Sequence, residues 1–258
     1  MNYFLSHMDY YSPLKKQLKN DIECYFFDSI DSTNSFLANT PFTRKPQLCI
    51  AREQTMGKGQ YGRSWVSQKD GSIIFSIRKC FNEGINLNGL SLVVGMAIIK
   101  SIEDECQLSG LKIKWPNDVY FGDKKLAGIL MENNSYKGNQ FVLIGVGVNF
   151  QLVDKHEIET SWVDLSRILT KLPSFQKLTA AIINNILMLS EDFQLNGLTR
   201  LLSQWDHYDM LKGVRIKLRE SNIEFEGQID GISEQGALKV ITKDGVKELY
   251  SSMHIEYI

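Results

Sequence analysis

Charge of one sign is missing from this sequence: 29 basic residues stand against 30 acidic ones, a formal net charge of −1 over 258 residues. No overall field therefore draws the chain onto nucleic acid or an anionic membrane. Paired cysteines are missing too. Cys24, Cys49, Cys80 and Cys106 lie far apart with no C-x-x-C spacing, which excludes a zinc ribbon and argues against a disulfide framework in a chain this long. Four reduced thiols in a reducing compartment are expected. Long hydrophobic runs are absent: the most apolar segment, LSLVVGMAII at 90–99, is too short to span a bilayer. The opening MNYFLSHMDYYSPL has neither the basic n-region nor the apolar core of a signal peptide. Repeats and low-complexity linkers are lacking as well. A cytoplasmic protein, off the membrane, is the expectation.

What is present is an ordinary globular pattern. Residues 24–30, 48–53 and 71–80 read as strands, and Asp31–Asn34 offers N-cap oxygens before SFLAN. Leu90, Val93, Val94, Ala97, Ile98 and Ile102 recur at helical spacing through about Cys106. Segments 111–115 and 119–121 are strand-like, GDKK at 122–125 is a hairpin turn into 126–132, and 141–150 reads as a buried strand. Helices are expected over 175–193 and about 198–210. Beyond Lys212 the texture changes to four short alternating strands, separated by the turn signals SN, EQG and KDG. A boundary near Leu211 divides the chain into 1–211 and 212–258. The first part lacks a steady βαβ rhythm, so α+β is favoured over a doubly wound fold.

The stretch GKGQYGRSW at 57–65 satisfies G-x-G-x-x-G and nearly satisfies a P-loop. Both motifs require a helix directly after the glycines, to hold phosphate on its N-terminus. Here RSWVSQKDGSIIFSI leads into another strand, and a P-loop lysine is missing, so both readings fail. The loop still offers an anion backbone N–H groups at Gly57, Gly59 and Gly62 with Lys58 and Arg63 beside them; a glycine-rich hairpin with exposed cations is the bland alternative. KWPND at 114–118 gathers Lys114, Asn117 and Asp118 around a proline, and Trp beside Pro in a strand-turn is hard to explain by folding alone. Lys125 precedes the wholly apolar LAGIL, which partly desolvates it.

Taken together, DSTN at 31–34, GKGQYGRSW, KWPNDVYFGDKKLAGIL at 114–130, GVGVN at 145–149 and EQGAL at 234–238 resemble the biotin protein ligases (biotin–[acetyl-CoA-carboxylase] ligases). The resemblance covers nearly everything beyond residue 24. It implies an α+β catalytic domain with a mixed sheet, related to class II aminoacyl-tRNA synthetases, followed by a small SH3-like β-barrel. It also implies two steps: biotin and Mg·ATP give biotinyl-5′-AMP and pyrophosphate, and a lysine of a biotin carboxyl carrier protein then takes the biotinyl group. By the same resemblance, Ser32, Thr33, Asn34 and Gln54 hydrogen-bond the ureido ring. The loop with Gly57, Lys58, Gly59, Gln60 and Arg63 closes over biotin carboxylate and phosphate. Trp65 shapes the adenine pocket, and Lys114 and Lys125 neutralise charge at the reacting centre. Asn117 and Asp118 face nucleotide and Mg²⁺, with Asp118 the metal ligand. Gly128 and Gly147 let biotin and adenosine lie on bare backbone, with Asn149 near ATP.

Two departures stand out. The family loop is commonly Gly-Arg-Gly-Arg, whereas Lys58 and Gln60 occupy the arginine positions here, so both planar forks and one charge are lost. Only thirty residues precede DSTN, too few for the N-terminal DNA-binding module of many bacterial relatives, so operator DNA is not an expected partner. Two other functions remain open: a lipoate or octanoate ligase of the same fold, against which KWPND argues, and a biotin-binding module with weak chemistry, which Gln60 keeps open. A homodimer sharing a sheet edge through the hairpins and the GVGVN strand is left undecided.

Overall fold

The computed structural model describes residues 10–19, 21–153, 160–220, 223–252 and 255–258. Seven strands form one mixed sheet in the order β1-β2-β3-β7-β6-β5-β4. They are β1 Glu23–Phe27, β2 Gln47–Ala51, β3 Ser72–Phe81, β4 Leu111–Lys114, β5 Asp118–Phe121, β6 Lys124–Tyr136 and β7 Asn139–Asn149. β1 and β2 run parallel, and the remaining neighbours are antiparallel. The α+β expectation holds. GVGVN does not lie at an edge, because β7 pairs along its length with β3 on one side and β6 on the other.

The two faces of the sheet follow from period-two alternation. On β3, Ile73, Phe75 and Ile77 enter the main core, as do Val142, Ile144, Val146 and Val148 on β7. Helices α2 (Leu90–Cys106) and α4 (Phe175–Asn196) cover that face and pack against each other. The intervening residues, Ile74, Ser76 and Arg78 on β3 and Leu143, Gly145, Gly147 and Asn149 on β7, point the other way. There α1 (Thr33–Ala38) covers one end through a small core of Leu37, Cys49 and Leu143. The rest of that face is left for a cleft.

Arg78 fastens α1 to the sheet. Its buried guanidinium donates to the carbonyls of Leu37 (2.6 Å), Thr40 (3.0 Å) and Pro41, and to Gln47 Oε1 (2.9 Å). A cation at the C-terminal end of a helix meets the negative end of the dipole and its unpaired carbonyls. Burial pulls its pKa below the ordinary arginine value.

Beyond α3 (Leu165–Ile168) and α4, the helix expected over 198–210 is two single turns, α5 (Thr199–Leu202) and α6 (Trp205–Tyr208). Gln204 at φ −123° interrupts the helix between them. The C-terminal part is an SH3-like antiparallel sheet in the order β11-β10-β9-β8-β12: β8 Arg215–Glu220, β9 Ile223–Ile232, β10 Leu238–Thr242, β11 Gly245–Leu249 and β12 Ile255–Tyr257. Four of these strands match the sequence pattern; the three-residue β12 is too short to show alternation. The expected turn at 221–222 and the chain start at 1–9 lie outside the described residues.

Folding alone does explain Trp115. It is buried, and its indole N–H donates to Gly236 O at 3.0 Å, pinning the C-terminal sheet to the first one. Gly236 (φ +76°) sits against Gly89 (φ +80°) so closely that a Cβ on Gly236 would lie 2.7 Å from Gly89 Cα. The EQG turn is thus a docking surface where no side chain fits.

Candidate active site

The open face holds a cleft of about 500 Å³ lined by α1, β3, β5, β6, β7, the glycine loop and residues 160 and 162. At one end, Ser32 caps α1, its Oγ accepting from Ser35 N at 3.3 Å. The cap sets Thr33 and Asn34 in the first turn, where both are buried and both line the cleft. Thr33 N–H donates to Gln54 Oε1 at 2.7 Å, and Thr33 Oγ1 lies 2.9 Å from the same oxygen. Behind them stands Ser76, fully buried, 2.7 Å from Thr33 Oγ1 and 2.5 Å from Asn34 Oδ1. Asn34 Nδ2 donates to Glu132 Oε2 at 2.7 Å. Asn34 fits because β7 carries glycine beneath it: a Cβ on Gly145 would lie 2.6 Å from Asn34 Oδ1.

Lys125 occupies the middle. The β5–β6 register shifts between Val119↔Ala127 and Tyr120↔Lys125, leaving Leu126 as an extra residue. Such a bulge re-aims the side chains beside it. The Lys125 side chain crosses Gly128, whose Cβ would lie 3.2 Å from both Cε and Nζ, and reaches Asp118 Oδ1 at 2.7 Å. Both partners are about four-fifths buried (22% and 21% side-chain exposure). Asp118 Oδ1 accepts no aligned hydrogen bond among the described residues, so the lysine charge is what compensates that buried oxygen.

Asn117 and Asn149 line the cleft but spend their amide donors on the frame. Asn117 Nδ2 donates to Ile129 O at 2.6 Å, and Ile129 N–H returns to Asn117 O at 3.0 Å. Asn149 Nδ2 reaches Val163 O (3.0 Å) and Lys125 O (3.3 Å), tying 161–163 to the start of β6.

At the far end stands the glycine loop, a miniature hairpin. Gly59 N–H donates to Arg63 O (2.7 Å) and Trp65 N–H to Gly57 O (2.9 Å), around a turn at Gln60–Gly62. Of the three N–H groups expected to meet an anion, that of Gly59 is engaged within the loop in this conformation. Gly57 is needed for close approach, since its Cβ would lie 2.4 Å from Trp65 O. Tyr61, at φ 56°, is left-handed and exposed. Lys58 and Arg63 are exposed on the rim. The Trp65 indole lies where bare backbone was expected: a Cβ on Gly147 would sit 2.4 Å from its ring, and Lys125 Nζ is 5.7 Å from the ring centroid. Its Nε1–H is buried without a partner among the described residues. A buried orphan donor calls for an explanation.

Of the expected residues, Ser32, Thr33, Asn34, Gln54, Lys58, Gly59, Gln60, Arg63, Trp65, Asn117, Asp118, Lys125, Gly128, Gly147 and Asn149 line one cleft. Gly57 and Lys114 do not. Lys114 faces Tyr120 (5.4 Å) and, from the C-terminal sheet, Tyr257 (4.7 Å). Burial and the nearby Lys125 hold its pKa below the ordinary lysine value, with Asp118 opposing. Ser76, Glu132 and Trp162 are additions. Ser76 carries a legible signal, a hydroxyl interrupting the apolar run IIFSI. Trp162 lines the cleft from a segment with no motif.

The first half of the chain, residues 26–149, matches the biotin/lipoate A/B protein ligase family, and residues 212–252 match the biotin protein ligase C-terminal domain. The bifunctional ligase/repressor BirA of Escherichia coli is 32% identical over 222 residues, covering 84% of this chain and 68% of that protein. A biotin–[acetyl-CoA-carboxylase] ligase of Paracoccus denitrificans is 35% identical over 122 residues, covering 46% of this chain and 51% of that one. Among solved structures, the Aquifex aeolicus biotin protein ligase in complex with biotin and ATP superposes with a TM-score of 0.77 at 26% identity, over 92% of this chain and 98% of that chain. With the KWPND–KLAGIL pair converging on one cleft and both domain models in order, the chain belongs to the biotin protein ligases of the biotin/lipoate A/B protein ligase family.

Proposed function

We propose that this ligase activates biotin with ATP to biotinyl-5′-AMP and transfers the biotinyl group to a lysine of a biotin carboxyl carrier protein. Residues 1–211 would carry the chemistry and 212–258 the appended sheet. One observation carries the reading: Lys125 lies across Gly128 at mid-cleft, between an amide-lined end and an indole-lined end.

The ureido ring of biotin, one carbonyl acceptor flanked by two N–H donors, suits the mixed donors and acceptors of Ser32, Thr33, Asn34 and Gln54. Its valeryl chain then runs toward Gly128, where the Trp65 ring and the Lys125 side chain lie, which brings the carboxylate to Lys125. A carboxylate oxygen attacks the α-phosphorus, the bond from that phosphorus to the bridging oxygen breaks, and pyrophosphate leaves with that oxygen. Lys125 stabilises the negative charge that builds on the non-bridging oxygens, preorganised in a site largely shielded from water. Lys58 and Arg63 fold in from the rim with Gln60 to cover the adenylate. Trp65 supplies a face for adenine and an indole N–H without a partner among the described residues, beside Gly147 and Asn149. Lys114 contributes a second positive charge from just outside the cleft. In the second step a carrier lysine nitrogen attacks the acyl carbon, the C–O bond to AMP breaks, and the amine proton passes to solvent.

Mg²⁺ fits on limited terms. Among the described residues no group of three His, Cys, Asp or Glu side chains is placed to hold a metal. Asp118 is the carboxylate at the site, and Mg²⁺ commonly takes one or two carboxylates plus substrate phosphates. Bound there, it would supply charge neutralisation on the phosphates.

Incubation with Mg·ATP, biotin and a carrier domain should release pyrophosphate and raise the carrier mass by one biotinyl group. Mass gain with lipoate and none with biotin would overturn the reading.

A further inference from the structure

Five side chains at the amide-lined end form a chain of contacts, and their hydrogens can be counted. Thr33 Oγ1 touches Gln54 Oε1 and Ser76 Oγ, and Ser76 Oγ also touches Asn34 Oδ1. Two hydroxyl hydrogens serve three contacts. Both amides have fixed orientations. Gln54 turns its oxygen to Thr33 because Thr33 N–H donates to it at 2.7 Å. Asn34 turns its nitrogen to Glu132 because a carboxylate accepts only, at 2.7 Å. Ser76 therefore donates to Asn34 Oδ1. The one hydroxyl hydrogen of Thr33 has two acceptors in reach, Gln54 Oε1 at 2.9 Å and Ser76 Oγ at 2.7 Å. From Ser76 the hydrogens point one way, Ser76 to Asn34 to Glu132, and the relay ends on a carboxylate at the exposed rim.

We infer that Ser76 and Glu132 are positioning residues for ureido recognition: Glu132 anchors the relay that fixes the orientation of the Asn34 amide. This rests on biotin being the ligand of the cleft. With its own hydrogen committed to Gln54 or Ser76, the Thr33 oxygen acts as an acceptor toward the ring N–H groups, and that donation strengthens it. Asn34 keeps one amide hydrogen free for the ureido carbonyl. Without Glu132, Asn34 can turn over and offer oxygen where the ligand also has oxygen. The relay thus sets specificity for a ring with a single acceptor between two donors, without Glu132 touching it.

The test is kinetic, on the full chain, by biotin- and ATP-dependent pyrophosphate exchange. Glu132→Ala should raise the biotin KM about tenfold, the scale of one lost charge-assisted hydrogen bond. Glu132→Gln, which keeps a neutral acceptor, should raise it about threefold. The ATP KM and kcat should hold in both, whereas a merely structural role would move the ATP KM and the melting temperature as well. In an Asn34→Ala background, Glu132→Ala should add nothing, because the residue it positions is gone. Additive penalties, or a biotin KM unchanged in Glu132→Ala, would overturn the inference while leaving the ligase reading intact. A wild-type protein that fails to bind biotin by calorimetry would overturn both. Ser76→Ala should match Glu132→Ala if it folds; the exposed Glu132 keeps the test decisive if it does not.

Discussion

The two ends of the cleft are built on opposite principles. The amide-lined end is complete: Thr33, Asn34 and Ser76 are buried, each is hydrogen-bonded, and Arg78 locks the far end of the helix that carries Thr33 and Asn34. The loop end is unfinished. Its cations are on the rim, two of its N–H groups bond within the loop, Tyr61 is left-handed, and Trp65 has a buried donor with no acceptor among the described residues. Under the proposed function, a site that selects biotin and then encloses it with ATP would benefit from this division. Preorganisation reduces what binding must order, and a lid has to be free to close. Lys125 stands where the halves meet.

The largest effect should come from removing that junction. Lys125→Ala should lower biotin-dependent pyrophosphate release by about 10²–10³-fold, the loss attached to one preorganised charge-stabilising group. Biotin affinity by calorimetry should change only a few-fold, because the ureido contacts lie elsewhere. Equal losses in both measurements would erase the distinction between the ends.

A matched pair of substitutions two residues apart on β7 sharpens it. Gly145→Ala drives a methyl group to 2.6 Å from Asn34 Oδ1, and Gly147→Ala drives one to 2.4 Å from the Trp65 ring. The first should raise the biotin KM and the second the ATP KM, each about tenfold, the scale of one displaced hydrogen-bonding or stacking group. Crossed results would show that the ends are one unit.

Much of this was legible in the sequence. Alternation in IIFSI and in GVGVN separates a core face from a cleft face, and the helical repeat of 90–106 was plain. Ser76 and Arg78 could have been found that way, as polar residues in step with the cleft glycines. The placement of Lys125 could not, because the bulge at Leu126 depends on pairing with β5 and leaves no local mark. Nor could the division within KWPND. Asp118 faces Lys125 in the cleft, Trp115 holds the C-terminal sheet, Asn117 braces Ile129, and Lys114 is covered by Tyr257 from a strand too short to read.

Gln60 tests the loop end alone. Gln60→Arg restores a cation where the family commonly has one, so biotinyl-adenylate should dissociate about threefold to tenfold more slowly, the worth of a charge-assisted contact to phosphate. Biotin affinity without ATP should not move. Unchanged release would mean that this position does not meet the adenylate.

Lys114 gives the smallest signal and the most particular one. Its ammonium is desolvated between Tyr120 and Tyr257 and repelled by Lys125, so it loses its proton at a lower pH than an ordinary lysine. As pH rises, its charge therefore disappears first, and ATP-dependent pyrophosphate release should fall on the alkaline side while biotin binding at the amide-lined end stays level. Lys114→Arg keeps a charge through that range and should carry the alkaline limb upward. Tyr257→Ala rehydrates the ammonium and should shift the limb the same way by returning the lysine toward its usual pKa. If neither variant moves the limb, the charge of Lys114 has no part in the ATP step; if biotin binding follows the same limb, the two ends share a titrating group and their independence fails.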